Sequence, residues 1–256
     1  MEDESEEECS ENEPEGFCHF NESSGSVEFS LALFGHTLVL AQNPVQSELG
    51  HGACVWDASI IFSKYVEHSR EFTPSAMRGK TVLELGAGCG LAGIALMLRG
   101  AAVTLTDLPA VTSQLTHLNA MRVYNQFIGM GSVGSVNYIR PIVTSIDWTD
   151  HSSPQQESPF LSSYDFILLT DCVFKRSLAY DLVFTIRKYS SRQTEVICCH
   201  EIRDEDANAA FVEELSKFYK LKRVSKDKLH PDFRNDQVVI LMGKPLRDQR
   251  NAYKEI

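Results

Sequence analysis

The sequence predicts an α/β fold in which one mainly parallel sheet is covered by helices on both faces. Three observations carry that expectation. From Thr81 onward, short β-branched and aliphatic runs alternate with segments of helical periodicity, the pattern of successive βαβ units. The first run, Thr81 to Leu85, passes directly into a glycine-rich turn, Gly86-Ala87-Gly88-Cys89-Gly90, and then into an apolar helix from Leu91 to about Arg99. Several runs close on polar residues: Asp107, Asp147 with Trp148, and Thr170 with Asp171.

Each element follows from local pattern. Val27, Phe29, Leu31 and Leu33 alternate with smaller or polar residues, Gly35-His36 offers a turn, and Leu38 and Leu40 resume the alternation, so a β-hairpin comes first. His51 to Val66 reads as one amphipathic helix with Trp56, Ile60 and the Phe62-Tyr65-Val66 group on or near one face. Polar residues Glu67 to Arg78, with Pro74, link it to the glycine-turn strand. Ala102 to Thr106 is a strand ending in Asp107, Ala110 to about Tyr124 a helix, and Asn137 to Ile146 a third strand. After a Ser/Pro/Gln loop, His151 to Ser163, comes the strand Tyr164 to Thr170. Leu178, Leu182, Ile186 and Tyr189 share a helix face. Glu195 to His200 is a fifth strand; Phe211, Leu215 and Phe218 mark another helix; Tyr219 to Ser225 and Gln237 to Met242 are the last two strands. Seven strands therefore follow the hairpin.

Composition bounds the rest. The 256 residues are 43% hydrophobic, enough for one sizeable core. There is no run of about 18 apolar residues to span a membrane and no signal-peptide pattern at the start. Seven cysteines without a Cys-x-x-Cys pair fit thiols in a reducing compartment, hence cytoplasm or nucleus. Nine of the net −11 charges lie in residues 1–15, which hold no Lys or Arg, leaving −2 elsewhere. Residues 1–25 are accordingly expected to be a disordered acidic tail, either solubilising or an arm for a basic partner. Residues 26–246 form the domain and 247–256 a second tail. Nothing suggests a basic face for nucleic acid, a membrane contact, a metal-ligand spacing or more than a monomer.

Ligands of such sheets bind beyond the carboxyl ends of the strands. Asp107, 17 residues past Gly90, is placed to accept both hydroxyls of a ribose. A dinucleotide turn wants G-x-G-x-x-G/A, but counting from Gly86 the third position falls on Leu91, and the third glycine comes one place early. The Gly-Lys-Ser/Thr of a P-loop is absent. With the preceding Glu84, the turn instead resembles the E-x-G-x-G-x-G motif of seven-β-strand S-adenosylmethionine-dependent methyltransferases. Val55-Trp56-Asp57-Ala58 upstream, Asp147-Trp148 after the third strand and Thr170-Asp-Cys-Val-Phe174 after the fourth narrow the likeness. Over roughly Val27 to Lys244 the chain resembles the family-16 protein methyltransferases.

The resemblance implies a Rossmann-like seven-stranded methyltransferase sheet with an antiparallel last strand. It also implies S-adenosyl-L-methionine as cofactor, S-adenosyl-L-homocysteine as product, and a lysine of a partner protein as acceptor. Arginine or histidine acceptors, an NAD-dependent hydride transfer and a binding module that keeps the fold are the alternatives. Cofactor contacts are assigned to Trp56, Glu84, Gly86, Ala87, Gly88, Asp107, Trp148 beside the adenine, and Thr170. Asp171 and Phe174 are the catalytic pair, bounding a D-x-x-Y motif in which Phe replaces Tyr. Asp171 is given orientation of the incoming nitrogen, with proton acceptance as a second role. Phe174 supplies an apolar wall and a cation–π face. Each has a plainer rival: Trp56 and Trp148 as core, Glu84 as structural, Asp171 as a helix cap, Asp147 as a turn closer. His200, Glu201 and Arg203 serve the site or a surface salt bridge, while His51 and Cys198-Cys199 read as structural. Substrate choice falls to the hairpin, the loop from His151 to Ser163 and the segment from Asp227 to Arg234.

Overall fold

The computed structural model describes residues 19–22, 25–130, 136–151 and 159–246. A hairpin of β1 (Glu28–Leu33) and β2 (His36–Ala41) pairs antiparallel and stands apart from the main sheet. Helix α1 (Asp57–His68) then leads to β3 (Thr81–Leu85), α2 (Leu91–Leu98), β4 (Ala102–Asp107), α3 (His117–Gly129) and β5 (Ile142–Ser145). The remainder is β6 (Phe166–Thr170), α4 (Ala179–Lys188), β7 (Glu195–Glu201), α5 (Glu205–Ser216), β8 (Tyr219–Arg223) and β9 (Val238–Pro245).

The seven strands after the hairpin form one sheet in the order β5-β4-β3-β6-β7-β9-β8. The first five run parallel, and β9 alone is inserted antiparallel between β7 and β8. This is the Rossmann-like sheet with an antiparallel last strand that the motifs imply. Period-two alternation splits the core between the two faces. Val82, Leu168, Ile197 and Cys199 face the cluster that holds α1, α2, α3 and the hairpin. Leu83, Leu85, Ile167, Leu169 and Cys198 face the cluster with Leu182, Ile186, Phe211 and Leu215 of α4 and α5.

The wholly buried Asn119 of α3 fixes the hairpin on the domain. Its Oδ1 accepts the Ala41 N–H (2.7 Å), and its Nδ2 donates to the Ala41 carbonyl (2.9 Å) and to the Cys89 carbonyl of the glycine turn (3.0 Å).

Several boundaries depart from the sequence expectation. The helix expected from His51 begins at Asp57. Residues Ser47–Ala53 make a 3-10 segment interrupted at Gly50 (φ 48°), and Trp56 is extended (φ −87°, ψ 152°). The third strand is only Ile142–Ser145, because it pairs with β4 alone, from Thr104 to Asp107, and Pro141 has no N–H for a ladder. The helix before it enters through Pro109–Val111 and a π turn, Thr112–Thr116. Phe218 lies beyond the end of α5.

Residues 19–21, ahead of the hairpin, also contact the entry to α1. The His19 and Phe20 N–H groups donate to the Asp57 carboxylate (2.7 and 2.9 Å), and Asn21 Nδ2 donates to the Val55 carbonyl (2.8 Å). The acidic residues 1–15, residues 152–158 of the expected loop and the tail 247–256 lie outside the described residues.

Candidate active site

Parallel β3, β4 and β6 are neighbours, so the turn after β3 opens beside the ends of the other two. Gly86, Gly88 and Gly90 have φ of 64°, 53° and 85°, the left-handed region that side chains disfavour. Their backbone is tied down from several sides. Ala87 N–H donates to the Thr106 carbonyl (2.8 Å) and Gly88 N–H to Asp107 Oδ2 (2.7 Å). The Thr116 hydroxyl, presented by the π turn, donates to the Gly88 carbonyl (2.7 Å). Local π geometry often marks functional positions in helices.

Asp107 Oδ1 accepts the Leu108 N–H (2.7 Å). Burial raises its carboxyl above the usual range, and the two backbone N–H groups work against that rise. Each oxygen keeps a further lone pair for a hydroxyl. Trp148 lies over the turn. A Cβ on Gly86 would come within 2.8 Å of the Trp148 ring and 2.6 Å of Cys172 Sγ. Burial pushes the Cys172 thiol well above its ordinary pKa, so it is a wall and not a nucleophile. Thr170 ends β6 beside this floor, only 8% exposed. Bare turn backbone, a carboxylate acceptor beside it and an indole plane together fit the nucleoside half of S-adenosylmethionine.

Glu84, also expected among the cofactor contacts, lies away from this crevice. It is wholly buried, its Oε2 accepts the Gly93 N–H (3.0 Å), and a Cβ on Gly93 would come within 2.4 Å of that oxygen. It lies beneath α2, where burial lifts its pKa to about 8. Glu84 therefore fastens strand to helix and does not reach the ligand surface. Asp147 takes its plainer role as well, since its Oδ1 accepts the Thr149 N–H (2.9 Å) and hydroxyl (2.7 Å) to close a turn.

A second group of residues forms the mouth. Asp171 has φ 58° and donates its N–H to the Cys199 carbonyl (2.8 Å). Its carboxylate, 4% exposed, accepts the Glu201 N–H (3.2 Å) and pairs with Arg203 Nη2 (2.8 Å). It is no helix cap, and it faces an arginine inside the mouth. The same Nη2 reaches Glu201 Oε2 (2.7 Å), while the guanidinium lies 4.7 Å over the Trp56 ring. Trp56 Nε1–H donates to the His51 carbonyl (2.6 Å), and the His51 ring stands 5.0 Å from Phe174. Trp56 and Phe174 are half-buried.

The structure thus brings Trp56, Gly86, Ala87, Gly88, Asp107, Trp148, Thr170, Asp171 and Phe174 to one end of the sheet. Sequence reasoning had set His51 aside as structural and missed Gly52. A Cβ on Gly52 would come within 2.8 Å of Val111, and its carbonyl lies 3.5 Å from where a Cβ on Gly88 would sit. The adjacency of the pair to Val55-Trp56 was the available signal.

Known proteins resemble this chain in sequence and in fold. The sequence profile of the lysine methyltransferase family matches residues 35–218. EEF1A lysine methyltransferase 3 of Xenopus tropicalis is 30% identical over 183 residues, 71% of this chain and 72% of that protein. Protein N-lysine methyltransferase METTL21A of Danio rerio is 31% identical over 202 residues, 79% and 82% of the two chains. The 16S rRNA N2 G1207 methyltransferase of T. thermophilus, solved with AdoMet and guanosine, shares the fold at a TM-score of 0.55 and 14% identity. That superposition takes in 86% of this chain and half the length of the other.

Proposed function

The chain belongs to the lysine methyltransferase family, and from that premise we propose that it methylates a lysine side chain of a partner protein. The methyl donor is S-adenosylmethionine. The observation that carries the reading is the meeting of turn 86–90, Asp107 and Trp148 with the mouth of Trp56, Asp171 and Phe174 at one end of the sheet.

When bound, S-adenosylmethionine supplies a methyl group on a sulfonium, open to in-line displacement, so positioning supplies much of the rate. Turn 86–90 would receive the cofactor against bare backbone, with Asp107 as acceptor for its ribose hydroxyls and Trp148 as the plane for its base. The acceptor lysine has an ordinary pKa near ~10.4 and must shed a proton before its nitrogen can attack. Phe174 and Trp56 favour the neutral amine by desolvation. Arg203 works in the same direction by neutralising Asp171, which would otherwise stabilise the ammonium form. Asp171 orients the mouth through Arg203. As positive charge reaches the nitrogen, the face of Phe174 supplies a cation–π contact of about 0.5–2 kcal/mol.

The site of action is the cytoplasm or nucleus. Cys89, Cys172, Cys198 and Cys199 are buried thiols without disulfide partners, which supports a reducing compartment. Tritium transfer from labelled S-adenosylmethionine into a cell lysate, with mass spectrometry of the labelled protein, tests the reading. Label on lysine is expected; NAD binding without S-adenosylmethionine binding would overturn it.

A further inference from the structure

We propose that Arg203 is a positioning residue for methyl transfer, holding residues 171–174 and Trp56 in one fixed arrangement. This rests on the methyltransferase reading above. Three chain segments meet here: the entry to α1, the loop after β6 and the end of β7. They are joined in a closed circuit of contacts. Arg203 Nη2 pairs with Asp171 (2.8 Å) and Glu201 (2.7 Å), and its guanidinium plane lies 4.7 Å over Trp56. The Trp56 indole is fastened to the His51 carbonyl (2.6 Å), and the His51 ring rests 5.0 Å from Phe174, three residues on from Asp171.

The surroundings separate this group from an ordinary surface ion pair. The side chains of Asp171 and Glu201 are only 4% and 13% exposed. Their carboxylates converge on a single nitrogen, so without the cation two shielded like charges face each other and the loop must move. Asp171 is also in the left-handed region at φ 58°, an arrangement that surrounding contacts must hold in place. Arginine suits the position because one planar group pairs with carboxylates and stacks on an aromatic face together. A lysine at 203 would keep the charge and lose the stack.

The test uses the full chain with Arg203→Met, Arg203→Lys and the double variant Arg203→Met with Glu201→Gln. Transfer kinetics are measured for each. Trp56 emission is read in matched proteins carrying Trp148→Phe, which leaves Trp56 as the one indole. Arg203→Met is expected to lower kcat about 100-fold, the scale of a misplacement near 1 Å, and to shift Trp56 emission. Arg203→Lys should fold like the parent and shift the emission as well. The double variant should recover at least about tenfold of the lost rate, because one of the two facing charges is gone. The proposal is overturned if Arg203→Met keeps kcat within about twofold, if Trp56 emission stays unchanged in both single variants, or if the double variant is no faster than Arg203→Met. Should the wild type transfer no methyl group at all, the methyltransferase reading fails, while the emission shifts still decide whether Arg203 positions Trp56.

Discussion

Glu84→Gln should abolish the pH dependence that one buried carboxyl imposes on the stability of this fold. Glu84 is wholly buried, and burial raises its pKa from 4.5 to about 8, against a lowering from the Gly93 N–H and with a small further rise from Asp107. Between those two values the folded chain holds one proton more than the unfolded chain. Its contribution is therefore fully present below pH 4.5 and is lost as pH rises toward 8. Each pH unit costs about 1.4 kcal/mol, so the whole interval costs up to ~5 kcal/mol.

Glutamine imitates the neutral acid and keeps an oxygen for the Gly93 N–H. Its amide nitrogen takes the place of Oε1, which has no hydrogen-bond partner among the described residues, at a pH-independent cost of about 1–3 kcal/mol. Wild type should be the more stable protein near pH 5, and the variant near pH 8. Urea unfolding of both at half-unit steps from pH 5 to 8.5 measures the difference directly. Asp107, also raised by burial, is present in both proteins and enters that difference only through its coupling to Glu84. A stability difference that stays constant within about 0.5 kcal/mol across the series would refute the burial argument.

Three further outcomes are expected. Gly86→Ala places a methyl group 2.6 Å from Cys172 Sγ and 2.8 Å from the Trp148 ring at a φ of 64°; the backbone alone costs about 1–2 kcal/mol. Calorimetry should show S-adenosylmethionine affinity falling more than about tenfold. Asn119→Ala removes three hydrogen bonds of a wholly buried amide and should lower unfolding free energy by about 2–4 kcal/mol, read by chemical denaturation. Asp171→Ala should abolish methyl transfer in the labelling assay and leave cofactor affinity within about threefold, since the carboxylate faces Arg203 and not the glycine turn; unchanged turnover would remove Asp171 from the site.

The sheet was legible because β3, β4, β6 and β7 are short apolar runs ending in turn chemistry, and the glycine motif with Asp107 marks one crevice at their ends. What stayed hidden depends on contacts between residues distant in sequence. Apolar periodicity runs on through residues 51–66, and only the extended Trp56 shows where the helix starts. Phe174 and His51 are 123 residues apart and Arg203 is farther still from Trp56, so no local spacing announces the mouth. Glu84 stood out as a charge in an aliphatic strand, but the strand pattern gives its position along the motif and not the helix pressed onto it. Asp171 could be read as a strand-end carboxylate, but its pairing with Arg203, 32 residues on, could not.

The hydrogen bonds of Asn119 bear on which positions of the hairpin can change. Its amide touches residue 41 only through backbone N–H and C=O, then reaches the Cys89 carbonyl of the cofactor turn. Any residue except proline at position 41 satisfies that grip. The exposed hairpin positions, Glu28, Ser30 and Ala32 among them, can therefore change while this grip and the buried Phe29, Leu31, Leu33, Leu38 and Leu40 hold the hairpin in register with the glycine turn. Substituting the exposed Glu28, Ser30, Ala32 and Thr37 while keeping Asn119 should leave the unfolding free energy within about 0.5 kcal/mol per site.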